Sequence, residues 1–424
     1  MRREFPRLAH FSLSPTANTA FPEILQMNHE PATDWRQYWS LDRSITYLNH
    51  GAFGACPIPV LEAQQRWRQQ LESEPTRFFG REYEHLINQA REKLAAFVGA
   101  DAEDLVFVPN ATAGVNTVLR SLRFQPGDEL LTTNHEYNAC RNALDFVAQR
   151  DGAKVVVAEI PFPLEAPEAA IEPIMELVSP HTKLVLVDNI TSSTALVMPI
   201  EAIIRQLSQR GIDTLIDGAH ALGAIPLNLR QLGATYYTGN CHKWLCAPKG
   251  AGFLYVRRDK QAAIRPLTIS HGANSPRTDI SRFHLEFDWT GTQDPTAYLC
   301  VGEAIEFMES LVPGGWPQLM ARNREMAIAA RNLLCDRLGI QPPSSEDSIG
   351  TMASIPIPDD TFPLPPSTGR IDSLQDRLFQ DFQIEVPIFP WYAPRRLLRV
   401  SAQLYNTLED YQKLDRALEV LGQL

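Results

Sequence analysis

Six short, mostly apolar runs, each closed by polar residues, constrain this chain more than any single motif does. They cover residues 105–108, 130–133, 154–160, 183–187, 214–216 and 252–256. Most are separated by stretches long enough for a crossover helix, such as 200–210, and helical patterns also cover 60–74, 82–98 and 115–122. Near-continuous apolar strands alternating with helices are the pattern of a sheet covered on both faces. The expected architecture is therefore α/β with a mostly parallel sheet. After Pro295 a helical pattern over 297–311 leaves this domain. A Pro- and Ser-rich region, 341–369, surrounds one strand-like piece at 352–356, and a smaller α+β domain comes after it. The expected division is an N-terminal arm packing on the small domain (1–50), a large α/β domain (51–296), and a connecting helix with the small C-terminal domain (297–424).

A length of 424 residues is ample for such a core. Lys and Arg number 39 against 50 Asp and Glu, a formal charge of −11, and no basic cluster stands out. That balance disfavours nucleic acid and anionic membrane surfaces as partners. No run approaches the roughly 20 apolar residues that cross a bilayer, and the first twenty residues lack the apolar segment of a signal peptide. The six cysteines are scattered and form no CxxC pair. This favours a reducing, cytoplasmic setting.

In open α/β sheets the ligand lies beyond the carboxyl ends of the strands, so the residues just past each strand carry the chemistry. Here they are Asn110-Ala111-Thr112, His135-Glu136-Tyr137, Asp188-Asn189, Asp217-Gly218-Ala219-His220 and, before the sixth run, Asn240-Cys241-His242-Lys243-Trp244. Small residues at a helix start let free N–H groups approach an anion, so Ala111 and Thr112 read as a phosphate cradle; Thr112 as a plain N-cap is the alternative. Asp217 at a buried sheet edge needs a cation or donors, which a protonated ring nitrogen would supply; a solvated turn aspartate is the bland reading. Lys243 lies among small and aromatic residues, where a lysine has a lowered pKa and can form a Schiff base. Standing alone it would equally be a surface lysine, and His242 a half-buried satisfied histidine. There is no GxxxxGK[ST] motif, and Gly250-Ala251-Gly252 leads into a strand rather than a helix, so nucleotide-binding readings are weak.

Phosphate cradle, ring partner and Schiff-base lysine together are what pyridoxal phosphate needs. At these residues the chain resembles the fold type I pyridoxal-phosphate enzymes of the class V aminotransferase family, and within it the isopenicillin N epimerase-like branch. The stretches that carry the resemblance run from Tyr47-Leu48-Asn49-His50-Gly51-Ala52-Phe53-Gly54 to Leu398-Arg399-Val400-Ser401 and Tyr405-Asn406, in family order. They include His242-Lys243-Trp244 and Trp289-Thr290-Gly291-Thr292.

The resemblance implies that Lys243 holds the cofactor and shuttles the Cα proton, and that Asp217 pairs with the pyridinium nitrogen. It places His220 and Asn189 near the ring hydroxyl, and Ala111, Thr112, Asn240 and His242 on the phosphate. It makes Tyr137 the residue stacked on the ring, and it gives Thr292 to the phosphate site of a neighbouring subunit in a homodimer with shared active sites. Arg399 would clamp the substrate carboxylate, with an internal salt bridge as the alternative, and Asn49 and His50 would lie near the substrate. Cysteine desulfurases of this family carry a catalytic cysteine shortly before that arginine. Residues 387–394 hold none, which disfavours persulfide transfer by that route. Cys241 and Cys246 fit no common metal site and read as buried structural thiols.

The implied activity starts at the Cα of an amino acid or an amino-acid-containing peptide. Reprotonation from the opposite face gives epimerisation, for which Tyr392, His50 or a water would supply the second acid. Loss of a β-substituent gives a cysteine or cystine C–S lyase, and reprotonation at the cofactor gives transamination. Epimerisation leads, with the lyase next. A non-catalytic scaffold would tend to lose Lys243 or Asp217, and both are present. The aromatic residues of 389–394, with Phe78, Phe79 and Trp289, would line a substrate pocket or fill core.

Overall fold

The structure, a computed structural model, describes residues 34–358, 362, 371–392 and 396–422. Of the expected N-terminal arm, residues 1–33 lie outside the described residues. The strands are β1 (Thr46–Tyr47), β2 (Leu105–Val108), β3 (Glu129–Thr133), β4 (Lys154–Ala158), β5 (Thr182–Asp188), β6 (Asp213–Gly218), β7 (Tyr236–Asn240), β8 (Gly252–Val256), β9 (Met352–Ile357), β10 (Ile384–Glu385), β11 (Ile388–Pro390) and β12 (Arg396–Ser401). Seven of them form one sheet in the order β2-β8-β7-β6-β5-β3-β4. The pairs from β7 to β4 are parallel, and β8 runs antiparallel to both β2 and β7. The α/β expectation holds.

Side chains alternate across a strand, and the two cores follow that alternation. Leu184, Leu186, Leu215, Tyr236 and Leu254 pack on one face; Val185, Val187, Ile216, Tyr237 and Phe253 pack on the other. Helices cover both faces. Ile200–Gln209 buries Ile200, Ile203, Ile204 and Leu207, an i, i+3, i+4, i+7 stripe. A second sheet, β11-β12-β9, is antiparallel and shares a separate core with the helices Gly315–Leu338 and Leu408–Gly422. The helical pattern expected over 297–311 is two helices, Thr296–Leu299 and Val301–Ser310, joined at Cys300.

The ladder fixes which polar residues meet. Asp188 and Asp217 are direct partners across β5 and β6, so both side chains leave the sheet on one face. Asn240 ends β7 two residues past Thr238, and Gly239 lies between them. A Cβ on Gly239 would lie 2.6 Å from the Phe253 ring. The strand ends therefore converge at the carboxyl edge, where β3 has β4 on one side and β5 on the other.

Candidate active site

The helix Ala111–Ser121 opens at this edge with Asn110 as its N-cap, the side chain accepting from Ala113 N–H at 2.9 Å. The Ala111 N–H donates to Asn240 Oδ1 at 2.8 Å, and Gly114 N–H donates to the Asn110 carbonyl at 3.1 Å. Of the N–H groups that a helix start leaves over, the one on Thr112 has no partner among the described residues, and neither does its hydroxyl. Thr112 is thus not the cap. It presents two free donors at the positive end of a helix, the arrangement that receives an anion. His242 gives Nδ1 to the Ala251 carbonyl at 3.0 Å, which leaves Nε2 uncommitted. Burial holds its pKa down at about 4, so the ring is neutral until an anion approaches.

Lys243 comes after β7 in a tight turn. Its Nζ shares a 3.0 Å hydrogen bond with His220 Nε2. Desolvation, and then the charge of Arg399, lower its pKa to about 7. His220 is buried and its Nδ1 is unpartnered. Burial pushes its pKa well down, so it acts as a neutral ring.

Asp217 is buried and accepts hydrogen bonds from Ala219 N–H at 2.8 Å and from the Cys140 thiol at 3.1 Å. Burial raises its pKa. Asn189, expected near a ring hydroxyl, gives its side-chain carbonyl to the Tyr237 hydroxyl at 2.8 Å, and Tyr237 belongs to the opposite face of the sheet. The residue beside Asp217 is instead Asp188.

Arg399 is 1% exposed, and no carboxylate pairs with it among the described residues. Its Nη1 donates to the Ser192 carbonyl at 2.6 Å, its guanidinium lies 4.7 Å over the Phe389 ring, and its Nε has no partner. The alternative of an internal salt bridge is not what the structure shows. Burial alone pulls its pKa to about 10. Tyr137, which stands at the start of the helix Asn138–Asp151, is 45% exposed, and its hydroxyl is near enough to act electrostatically on Arg399. Asn49 donates to Glu385 Oε1 at 3.0 Å and keeps a buried, unpartnered Oδ1. Thr292 is exposed.

Two expectations are corrected. His50 does not face a substrate: it is fully buried, its Nδ1 lies 2.8 Å from the Tyr405 hydroxyl and its Nε2 lies 3.1 Å from the Lys243 carbonyl. With both nitrogens engaged and burial holding its pKa near 3, it supports the lysine turn from behind. Nor is Tyr392 free to act as an acid, because its hydroxyl donates to Glu159 at 2.8 Å and accepts from Asn134. Trp391 beside it packs on His135 at 4.7 Å, while residues 393–395 lie outside the described residues. The aromatic residues also divide. Phe78, Phe79, Tyr83 and Trp289 form one cluster, and Phe389 goes to Arg399.

All six cysteines are free and buried, as expected for Cys241 and Cys246. Sequence reasoning misses Cys140, and it gives Glu136 and Asp188, though at strand ends, no role. No spacing rule marks them, since the strand register and the first turn of one helix bring them together.

A family model of the class-V aminotransferases matches residues 46–358, most of the chain. The chain belongs to the class-V aminotransferase family. It is 34% identical over 410 residues to an isopenicillin N epimerase of Amycolatopsis lactamdurans, covering 92% of this chain and 99% of that one. It is 29% identical over 416 residues to a putative L-cysteine desulfhydrase of Oryza sativa subsp. japonica, covering 90% and 84%. The solved structure of a cystine C–S lyase in complex with cysteine persulfide shares its fold, with a TM-score of 0.75 at 21% identity over 89% of this chain and 97% of that one.

The cofactor of a class-V aminotransferase is pyridoxal phosphate, and the residues here fit it. The free Thr112 donors, the open Nε2 of His242, the neutral-prone Lys243 and the buried Asp217 supply an anion site, an amine and a carboxylate at one sheet edge. Among the described residues no helix is long and apolar enough to cross a membrane.

Proposed function

We propose that this enzyme is an epimerase acting at the Cα of an amino acid or an amino-acid-containing peptide. The observation that carries the reading is a buried guanidinium, Arg399, with no carboxylate partner among the described residues, whose charge is felt at Lys243 Nζ. A buried charge is retained unpaired only where a partner arrives from outside, and an amino-acid carboxylate is such a partner. Bound pyridoxal phosphate supplies the electron sink that lets the Cα–H bond ionise.

Thr112 and His242, with Ala111 and Asn240 joined beside them, would hold the phosphate, and Asp217 would meet the ring nitrogen. His220 would stand by the ring hydroxyl, and Tyr137 would cover the ring face. Lys243 would hold the cofactor, and its Nζ would move the Cα proton; a pKa of about 7 leaves much of it unprotonated at neutral pH. With His50 and Tyr392 committed elsewhere, the acid for the opposite face is Tyr137 or a water. Similarity to the isopenicillin N epimerases supports epimerisation over the other outcomes. The second reading is a cysteine or cystine C–S lyase, which the desulfhydrase relatives favour.

A homodimer with Thr292 lent to the neighbouring site accords with the exposed Thr292 and with Phe53 and Ile269, 71% and 61% exposed. A reducing, cytoplasmic setting accords with six free, buried thiols.

The test is proton NMR in heavy water on the purified enzyme with added pyridoxal phosphate and L-amino acids, including cysteine, cystine and an aminoadipyl peptide. Loss of the Cα proton signal with an intact carbon skeleton, and the D form on chiral analysis, is the expected result. Pyruvate released from cysteine or cystine would overturn epimerisation in favour of the lyase.

A further inference from the structure

Three carboxyl groups meet at the place assigned to the ring nitrogen, and only one has the hydrogen bonds of an anion. Asp188 stands directly across the ladder from Asp217, where neighbouring strands are about 4.8 Å apart. Glu136 comes from the turn after β3, and one of its oxygens, the Cys140 sulfur and an Asp217 oxygen all lie within 4.8 Å of one another. Asp217 accepts two hydrogen bonds, from Ala219 N–H and the Cys140 thiol. Glu136 accepts one, from Thr132 Oγ1 at 3.1 Å, and its Oε1 is buried without a partner. Asp188 has a buried Oδ2 with no partner at all.

Like charges this close, away from water, are not all ionised. The charged groups that act on the cluster are few. Lys243 faces Asp188 and Asp217, and Arg141 acts on Glu136. His220 beside Lys243 is neutral, and the Tyr237 hydroxyl is turned to Asn189. Lys243 and Arg141 together do not balance three carboxylates.

We propose that Glu136 and Asp188 are held as neutral carboxylic acids, and that the Cys140 thiol fixes the single negative charge of the trio on Asp217. Hydrogen bonds to the ionised form favour it: Asp188, with only its own N–H, ranks as the acid, and Asp217, with two donors and Lys243 acting on it, as the anion. Burial and then Glu136 push Asp188 well up, and burial and then Asp217 bring Glu136 to about 8; burial raises Asp217 as well, but the Cys140 thiol, the Ala219 N–H and Lys243 all act to hold it down. The edge then offers one negative charge rather than three, matched to one protonated ring nitrogen. Glu136, Asp188 and Cys140 are positioning residues in this scheme, acting through Asp217. The inference rests on the cofactor reading above.

The first experiment needs no cofactor. Infrared difference spectra of the cofactor-free protein at neutral pH, wild type minus Asp188→Asn, are expected to show loss of a protonated-carboxyl stretch; Glu136→Gln is the second variant should Asp188→Asn fail to fold. Loss of a carboxylate stretch instead would overturn the proposal. In the second experiment pyridoxal phosphate is added and its visible absorption band is titrated with pH. Cys140→Ala is expected to move the midpoint by about one unit, the loss of one hydrogen bond to a charged group, and Cys140→Ser to restore it. An unmoved midpoint in Cys140→Ala would overturn the assignment of the thiol. If wild type takes up no cofactor, the cofactor reading fails, and the infrared result still decides the protonation of the trio.

Discussion

Arg399 and Lys243 are buried basic groups, and the roles proposed for them, carboxylate binding and proton transfer, each have a measurable consequence. Arg399→Lys keeps the charge but loses the planar fork that binds a carboxylate through two parallel bonds. It is expected to raise KM by about tenfold to a hundredfold in steady-state kinetics, with a smaller change in kcat. Lys243 has a folded pKa of about 7 against a usual 10.5. Between those values the unfolded chain binds a proton that the folded chain does not, so its burial costs stability fully below pH 7 and not at all above about 10.5. Lys243→Met is therefore expected to stabilise the cofactor-free protein at neutral pH by about 1–4 kcal/mol in urea unfolding, with the gain fading as pH rises towards 10. Lys243, Asp217, Arg399 and the Thr112 cradle are legible in the sequence because each is a polar residue at the end of an apolar run or in a family motif. Cys140 is not, and Glu136 and Asp188, although they also end apolar runs, show no role until the register sets Asp188 against Asp217. His50 misleads because its motif says where the chain turns, not which way the imidazole points.

Among the elements, the strands that read most faithfully are those buried on both faces, such as β5, where Leu184, Val185, Leu186 and Val187 are all in core. β7 is not among the six runs because Thr238, Gly239 and Asn240 hide a strand whose five residues are all buried. The helix Gly315–Leu338 is masked in the sequence because its buried stripe includes Asn323 and Arg331 alongside Trp316 and Leu319. Asn323 donates to Gln403 Oε1 at 3.1 Å, and Arg331 to the Ser344 carbonyl at 2.9 Å, so neither is an unpaired burden. The helix that carries Thr112 is seated by Gly114, where an added Cβ would fall 2.0 Å from Thr238 Oγ1. Gly114→Ala is expected to lift that helix off β7, costing about 1–3 kcal/mol in thermal unfolding and weakening phosphate binding in the same protein. The turn before Lys243 is tighter still. Gly54 has φ of +69°, and a Cβ there would fall 2.0 Å from the His242 carbonyl oxygen.

At the scale of the molecule, the proposed dimer would cover Ile269, which is exposed. In sedimentation the wild-type protein is expected to run as a dimer, and Ile269→Asp to move it towards monomer with loss of activity. The beginning and end of the described chain are also stitched together. β1 pairs with β10, Leu48 lies in the core of the C-terminal sheet, and Ser401 N–H donates to the Leu48 carbonyl at 3.0 Å. Asn49 and Glu385, joined by a hydrogen bond, are 336 residues apart in sequence. A ribosome adding 5–20 residues per second needs roughly 20–70 s to cover that distance. For that interval the strand ahead of His50 waits as an unpaired edge, so the nascent chain needs shelter until almost its last helix has been made.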